Sequence, residues 1–321
     1  MSATNAIVLF VAFVALIGAR RALGARTLDA TWLAFARVPF NALGFYARRA
    51  IGWRRGAVVH VDEPKASLFD YLDDPGARAS SETRERDLRE RYALAPLAAR
   101  SSRDVYRDNL YVLDLLDRFV ARPLREACTP SRAVRAVDVG SKDFRYAFAI
   151  ERFLAVTLDA PAVDLLGVEI DGHPVYADLH SRADHADAYA AEVEAAPRPG
   201  HAASRVRYRV ADYLAIEERD VDVVLFFFPF VLRYTLVRWG LPLGKFVPDR
   251  LFEHAVRSLR PGGLLVVVNH TAEELDAQRA ILARMADLHV LATDDAMSLL
   301  VDYHPQLEGR AITVAQKRAP A

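Results

Sequence analysis

A single cysteine, Cys128, stands in a chain of 321 residues, so no disulfide can close within it, and no Cys/His spacing of the kind that holds zinc is present. That usage suits a reducing compartment. Neither charge is in excess: 42 Lys and Arg balance 42 Asp and Glu, whereas a nucleic-acid-binding domain would carry a basic surplus. Also missing is a run of three spaced glycines after a strand, which argues against a nicotinamide dinucleotide site. No internal repeat is visible. What remains is an ordinary globular balance, 52% hydrophobic and 26% charged, with room for one large domain plus attachments.

The apolar excess sits at the amino end. Residues Ala6 to Ala19 carry no charge, and with Ser2 to Asn5 they approach the roughly 20 residues needed to cross a bilayer. Positive charge follows this run, at Arg20, Arg21, Arg26, Arg37, Arg48, Arg49, Arg54 and Arg55, with Asp29 the one acid before residue 56. A cleaved signal peptide has the reverse order. The expectation is a membrane helix or anchor over residues 1–26 and a basic-aromatic interfacial segment over 27–56, holding Trp32, Phe35, Phe40, Phe45 and Tyr46 and interrupted near Pro39. Membrane lipids would then be met through residues 5–55, with the globular part cytoplasmic by the positive-inside rule.

Residues 57–131 read as a helical linker or lid. The charged run Glu82 to Arg91 suits a solvated helix face, and Val105, Leu110, Leu113, Leu116, Phe119 and Val120 recur at helical spacing, as in a helix capping a sheet ahead of its first strand.

From 132 to 321 the pattern changes to buried strands. Val134–Val139 runs up to Gly140, where the missing side chain permits a tight turn and lets a ligand approach the backbone. A helix is expected from Phe144. Leu165–Ile170 ends in the acids Glu169 and Asp171, Val206–Val210 stops short of Asp212, Val221–Phe228 ends at Pro229, and Leu264–Val268 ends at Asn269 and His270. Five uninterrupted apolar runs imply a parallel sheet covered on both faces. A helix over Glu273–Met285 and two strands, Leu288–Ala292 and Ala311–Gln316, would close it as an antiparallel hairpin.

The order of turns, Asp138-Val-Gly140, Gly167-Val-Glu169, Asp212-Tyr213, Asp222 with its hydrophobic run, then Arg260-Pro-Gly-Gly263, resembles the class I S-adenosylmethionine-dependent methyltransferases. The resemblance implies an α/β, doubly wound, mostly parallel Rossmann-like sheet, an enzyme that transfers a methyl group, and S-adenosylmethionine as cofactor. It implies that Asp138, Gly140 and Ser141 face the methionine part of the cofactor, Glu169 the ribose hydroxyls, and Asp212 with Tyr213 the adenine. The first loop departs from the family, keeping Gly140 but placing Lys142 and Asp143 where small residues are common. A non-catalytic scaffold that kept the sheet and lost the cofactor therefore stays open beside the enzyme reading, and the methyl acceptor is unknown.

His270 is the histidine placed to serve as a general base, a weak candidate because strand-end histidines are commonly solvated. His173, His180 and His185 with Asp178 and Asp184 invite a metal reading. Separations of five and seven residues do not stack on one helix face, so no metal is expected. The run from Phe226 to Phe230 could line an apolar substrate pocket, and with the amino-terminal anchor it suggests a lipid-like or membrane-associated acceptor. Ala190–Ser204 reads as a surface insertion.

Overall fold

The computed structural model describes residues 37–65, 68–128, 132–198, 204–296, 298, 300 and 310–319. The expected membrane helix of residues 1–26 lies outside them, and no helix among the described residues is long and apolar enough to cross a membrane. The chain divides into two units.

In the smaller unit, described residues 37–47 associate with 232–246. The helix α1 (Val38–Ile51) begins there and is unbroken, because Pro39 falls in its first turn, where no backbone donor is lost. Phe45 is buried, and Asn41 Nδ2 donates to Val237 O at 2.8 Å.

The larger unit holds a seven-stranded sheet in the order β3-β2-β1-β4-β5-β7-β6. Its strands are β1 (Val134–Val139), β2 (Val163–Glu169), β3 (Arg205–Val210), β4 (Val221–Phe227), β5 (Leu259–Asn269), β6 (Leu288–Asp295) and β7 (Ala311–Lys317). The first five are parallel, and β7 pairs antiparallel with both β5 and β6, forming the expected closing hairpin. Every residue of β4 is buried, as its apolar run requires, whereas β3 sits at the sheet edge and is half exposed. The strand order reverses between β1 and β4, and crevices at such switch points bind ligands at the carboxyl ends of the strands.

Ahead of the sheet come α2 (Pro75–Arg91), α3 (Ala95–Arg100), α4 (Arg103–Leu115) and α5 (Ala121–Ala127), with a π-helical turn over Leu116–Val120 joining the last two. The charged run of α2 is a helix with one buried stripe: Leu88 is fully enclosed, and Arg84 reaches Asp114 and Asp117 at 2.7 Å each. Helix α4 carries the expected apolar face and a buried Asn109. That residue donates to Arg145 O and accepts from Ala149 N, so it ties the loop after β1 to the start of α6 (Ala147–Leu158).

The remaining helices are α7 (Arg182–Ala195), α8 (Arg233–Trp239), α9 (Pro248–Ser258) and α10 (Ala272–Leu282), with α8 in the smaller unit. Several boundaries differ from expectation, β5 beginning at Leu259 rather than Leu264 among them, and two change the reading of a segment. The helix after β1 begins at Ala147 rather than Phe144, because Lys142 and Phe144 take left-handed φ of 52° and 58° and cannot start a helix. Of the supposed insertion Ala190–Ser204, Ala190 to Ala195 are the last turn and a half of α7, with Ala190 and Val193 buried, and residues 199–203 lie outside the described residues.

Candidate active site

Asp138, next to last in β1, is 0% exposed, and among the described residues neither carboxyl oxygen is in good hydrogen-bond geometry with a donor, the Tyr146 hydroxyl being the one nearby. Burial pushes its carboxyl up to about 8, with Tyr146 opposing that shift and the charge of Glu169 adding to it. Tyr146 is itself raised well above the usual phenol range, by burial first and then by Asp138. A buried polar group without a partner is costly, and one at the end of a strand beside the switch point is poised for a ligand. Ser141, three residues on, is also fully buried with its Oγ unpartnered.

Between them Gly140 turns with φ +79°, and a side chain built there would meet nothing within 4 Å. The loop then repeats the left-handed turn at Lys142 and Phe144. Its path is that of a glycine loop without the glycines. Phe144 is held in this conformation by burial: its ring lies over Gly167 of β2, where an added Cβ would come within 2.8 Å of the ring. Gly167 is glycine because Phe144 occupies the space. Asp143 does not pair with Lys142. Its carboxylate is taken by Arg145, and Tyr176 donates to it at 3.2 Å.

Glu169, at the end of β2, is 4% exposed and accepts from Lys142 N at 3.0 Å and Asp171 N at 2.9 Å, with Arg182 Nη1 at 3.8 Å. Burial raises its carboxyl, against the opposing effects of Arg182 and the two amides. A carboxylate has about four acceptor sites, so these contacts leave capacity for two hydroxyls. Asp212 follows β3 and accepts from Leu214 N at 3.2 Å, capping a short 3₁₀ turn. Tyr213 is buried with its hydroxyl on Ser258 Oγ at 3.2 Å and its ring edge-on to His254, which directs it toward α9.

At the ends of β4 and β5, Phe228 adopts φ 59° and stacks on His270, centroids 3.6 Å apart and planes 7° from parallel. Arg310, just before β7, lies over the same Phe228 ring and hydrogen-bonds Tyr111 Oη. Asn269 is fully buried with both amide atoms unpartnered. Phe226 packs on Phe252 and Phe227 against Tyr146, so this part of the aromatic run is core and wall in alternation.

Asp138, Gly140, Ser141 and Glu169 thus meet at the ends of two paired strands, Asp138 lying opposite Gly167 in the register. Sequence reasoning missed Tyr146, Asn269, Arg310 and Tyr111. A signal existed for Asn269, a polar residue ending an apolar strand, but Arg310 and Tyr111 are 199 residues apart and nothing local links them. A separate depression of about 500 Å³ between α10 and the β6–β7 hairpin, lined by Leu282, His289, Thr293 and Arg318, is away from these strand ends.

No protein-family model matches the chain, and no curated sequence matches it. Solved structures do resemble it. The (4+2)-cyclase SpnF is 15% identical, covering 63% of this chain and 81% of its own, with a TM-score of 0.39. An S-adenosylmethionine-dependent O-methyltransferase of Thermotoga maritima is 14% identical over 67% of this chain and 66% of its own, TM-score 0.38. The N-methyltransferase NodS of Bradyrhizobium japonicum is 12% identical over 64% and 97%, TM-score 0.39. At such scores the likenesses add nothing to the reading of the fold, which rests on strand order, register and the closing hairpin.

Proposed function

We propose that this chain is an S-adenosylmethionine-dependent methyltransferase, attached to a membrane through its amino-terminal segment and acting on a lipid-like or membrane-associated acceptor. The observation that carries the cofactor reading is the buried, unpartnered carboxyl of Asp138 with Ser141 Oγ, at the switch point and beside the open space at Gly140. These groups fit an amino-acid moiety. Asp138 and Ser141 would hold the methionine part, Glu169 the ribose diol, and the turn at Asp212 the adenine edge.

Bound there, the cofactor would supply an electrophilic methyl group on sulfur. The protein's own share is to orient the acceptor and exclude water, and positioning of this kind accounts for much of the rate in such transfers. The ring of Phe228, stacked on His270 and covered by Arg310, offers an apolar wall beside the crevice, and His270 is the residue placed to take a proton if the acceptor must lose one.

Membrane attachment is supported by the uncharged run of residues 6–19 and by α1, where Leu43, Tyr46 and Ile51 are more than half exposed among Arg37, Arg48 and Arg49. Two such signals suffice for stable anchoring. The scaffold reading is favoured by one observation, the fully buried Phe144 and the Lys142 side chain in a loop that glycines usually line.

Calorimetric titration of the full chain in detergent with S-adenosylhomocysteine separates the two. Micromolar binding, weakened at least about tenfold in Glu169→Ala through loss of a charged acceptor, is the expected result. A folded sample that gives no binding at millimolar ligand makes the protein a scaffold.

A further inference from the structure

The segment between β2 and α7 folds back on itself: Tyr176 N donates to His180 O at 2.8 Å, and Leu179 N to Tyr176 O at 3.0 Å, with Leu179 at φ 67°. This tight turn sets Asp178 beside His180. Ser181 then caps α7, so His185 stands one turn into the helix and faces back toward the turn. The ligand-bearing atoms of Asp178, His180 and His185 all lie within 4.8 Å of one another. Two of the three come from a loop, so a test for one helix face could not find them.

The hydrogen bonds around the trio fix which atoms converge. Asp178 Oδ1 accepts from His180 N at 3.1 Å, which leaves Oδ2 turned to the imidazoles. His180 Nε2 lies 3.2 Å from Ala57 O, and a carbonyl can only accept, so Nε2 carries the proton. Its Nδ1 lies 3.3 Å from Asp178 Oδ2. His185 Nε2 lies 3.0 Å from the same oxygen. Burial holds the His185 imidazole below its usual range, against the pull of Asp178. Three ligand atoms from a turn and a helix thus converge on one point, an arrangement that a cation would fit. Histidine ligands commonly donate their second nitrogen to a carbonyl, as His180 does to Ala57.

The spacing has the right size. Four-coordinate zinc with bonds of about 2.0–2.1 Å places neighbouring ligand atoms about 3.3 Å apart, close to both distances here. We propose that Asp178, His180 and His185 form a binding site for one divalent transition-metal ion of borderline softness, zinc or a near neighbour, with a fourth position left open. Two imidazoles and one carboxylate are the donor set such ions prefer, and they exclude a site built for calcium or magnesium. The ion would join three separate pieces of chain: the 176–180 turn, α7, and through His180 the segment at Ala57. The proposal does not depend on the cofactor reading.

The test is titration of the tag-free full chain, first stripped with a chelator, with Zn²⁺ by calorimetry and with Co²⁺ by visible absorption. One equivalent is expected, with the intense d–d bands of four-coordinate Co²⁺ and a thermal midpoint that rises on Zn²⁺ addition. Asp178→Asn, at a half-exposed position that does not threaten folding, should weaken Zn²⁺ at least tenfold and abolish the rise, and His185→Ala should remove binding. No uptake by the wild-type chain overturns the proposal, leaving an imidazolium–carboxylate cluster. Equal affinity in wild type and Asp178→Asn overturns it too, by placing the ion elsewhere.

Discussion

Two aspartates, one near the end of β1 and one in the first turn of α7, are buried to nearly the same degree and have opposite electrostatic fates. Asp138 is 0% exposed and has no hydrogen bond to either oxygen, whereas Asp184 is 2% exposed and accepts from five donors. Those donors are the Ser181 amide and hydroxyl, the amides of Arg55 and Gly56, and the Arg54 guanidinium. Burial acts on both in the same direction. For Asp138 it prevails, and the carboxyl rises to about 8. For Asp184 the amides of Arg55 and Ser181, the Ser181 hydroxyl and Arg54 outweigh it and hold the carboxyl well below the usual carboxylate range. The difference teaches that depth alone does not mark a functional acid. A buried carboxyl saturated by the protein's own donors is structural, and one left without them has its donors still to come.

The comparison is broken most sharply at Asp184. Asp184→Ala leaves five donors facing a gap and undoes the capping box of α7, so unfolding by urea should show a loss of about 3 kcal/mol. The same change at Asp138 removes a penalty rather than a support. If Asp138→Ala destabilises the ligand-free protein as much as Asp184→Ala does, the contrast is wrong.

A pH series sharpens it. Asp138 has a folded-state pKa above its unfolded value, so its contribution is fully present below about pH 4 and is lost as pH rises through about 8. Asp184 has a depressed pKa, so its contribution is present above the unfolded value and is lost as pH falls below about 4. Unfolding free energies between about pH 5 and 8 should therefore fall with pH by up to about 1.4 kcal/mol per unit from Asp138 alone. Asp138→Asn should flatten that slope while weakening S-adenosylhomocysteine binding. A slope unchanged in Asp138→Asn would assign it to another group.

The smallest effect lies in the loop between. Lys142 holds φ 52° without the freedom of glycine, and Lys142→Gly should stabilise the protein by about 1 kcal/mol in the same urea assay. A loss of that size would mean that the Lys142 side chain contributes more than its backbone costs.

Four of the five parallel strands were readable because strands buried on both faces are largely apolar, β3 being the half-exposed edge, and β1 was placed to the residue. Acids at strand ends were readable for the same reason, as the points where those runs stop. The start of α6 was not, since left-handed φ at Lys142 and Phe144 runs against what those residue types prefer alone, and burial of Phe144 over Gly167 imposes it. The Tyr213 hydroxyl donates to Ser258, a contact 45 residues away that no local pattern announces. Asp178, His180 and His185 were considered as metal ligands and set aside on their spacing along one helix, whereas a turn and a helix bring them together.

By itself the sequence determined the sheet, the acids at its carboxyl edge and the turn at Gly140, all consequences of hydrophobic runs and residue type over short distances. The tertiary structure decided which of those acids is satisfied. Arg54 reaches Asp184 across 130 residues and Arg310 reaches Tyr111 across 199, whereas among the described residues Asp138 has only the nearby Tyr146 hydroxyl to oppose its burial. Periodicity reports how a segment faces its neighbours. Whether a buried charge finds a partner depends on chain that arrives from far away, and that is settled only when the whole fold closes.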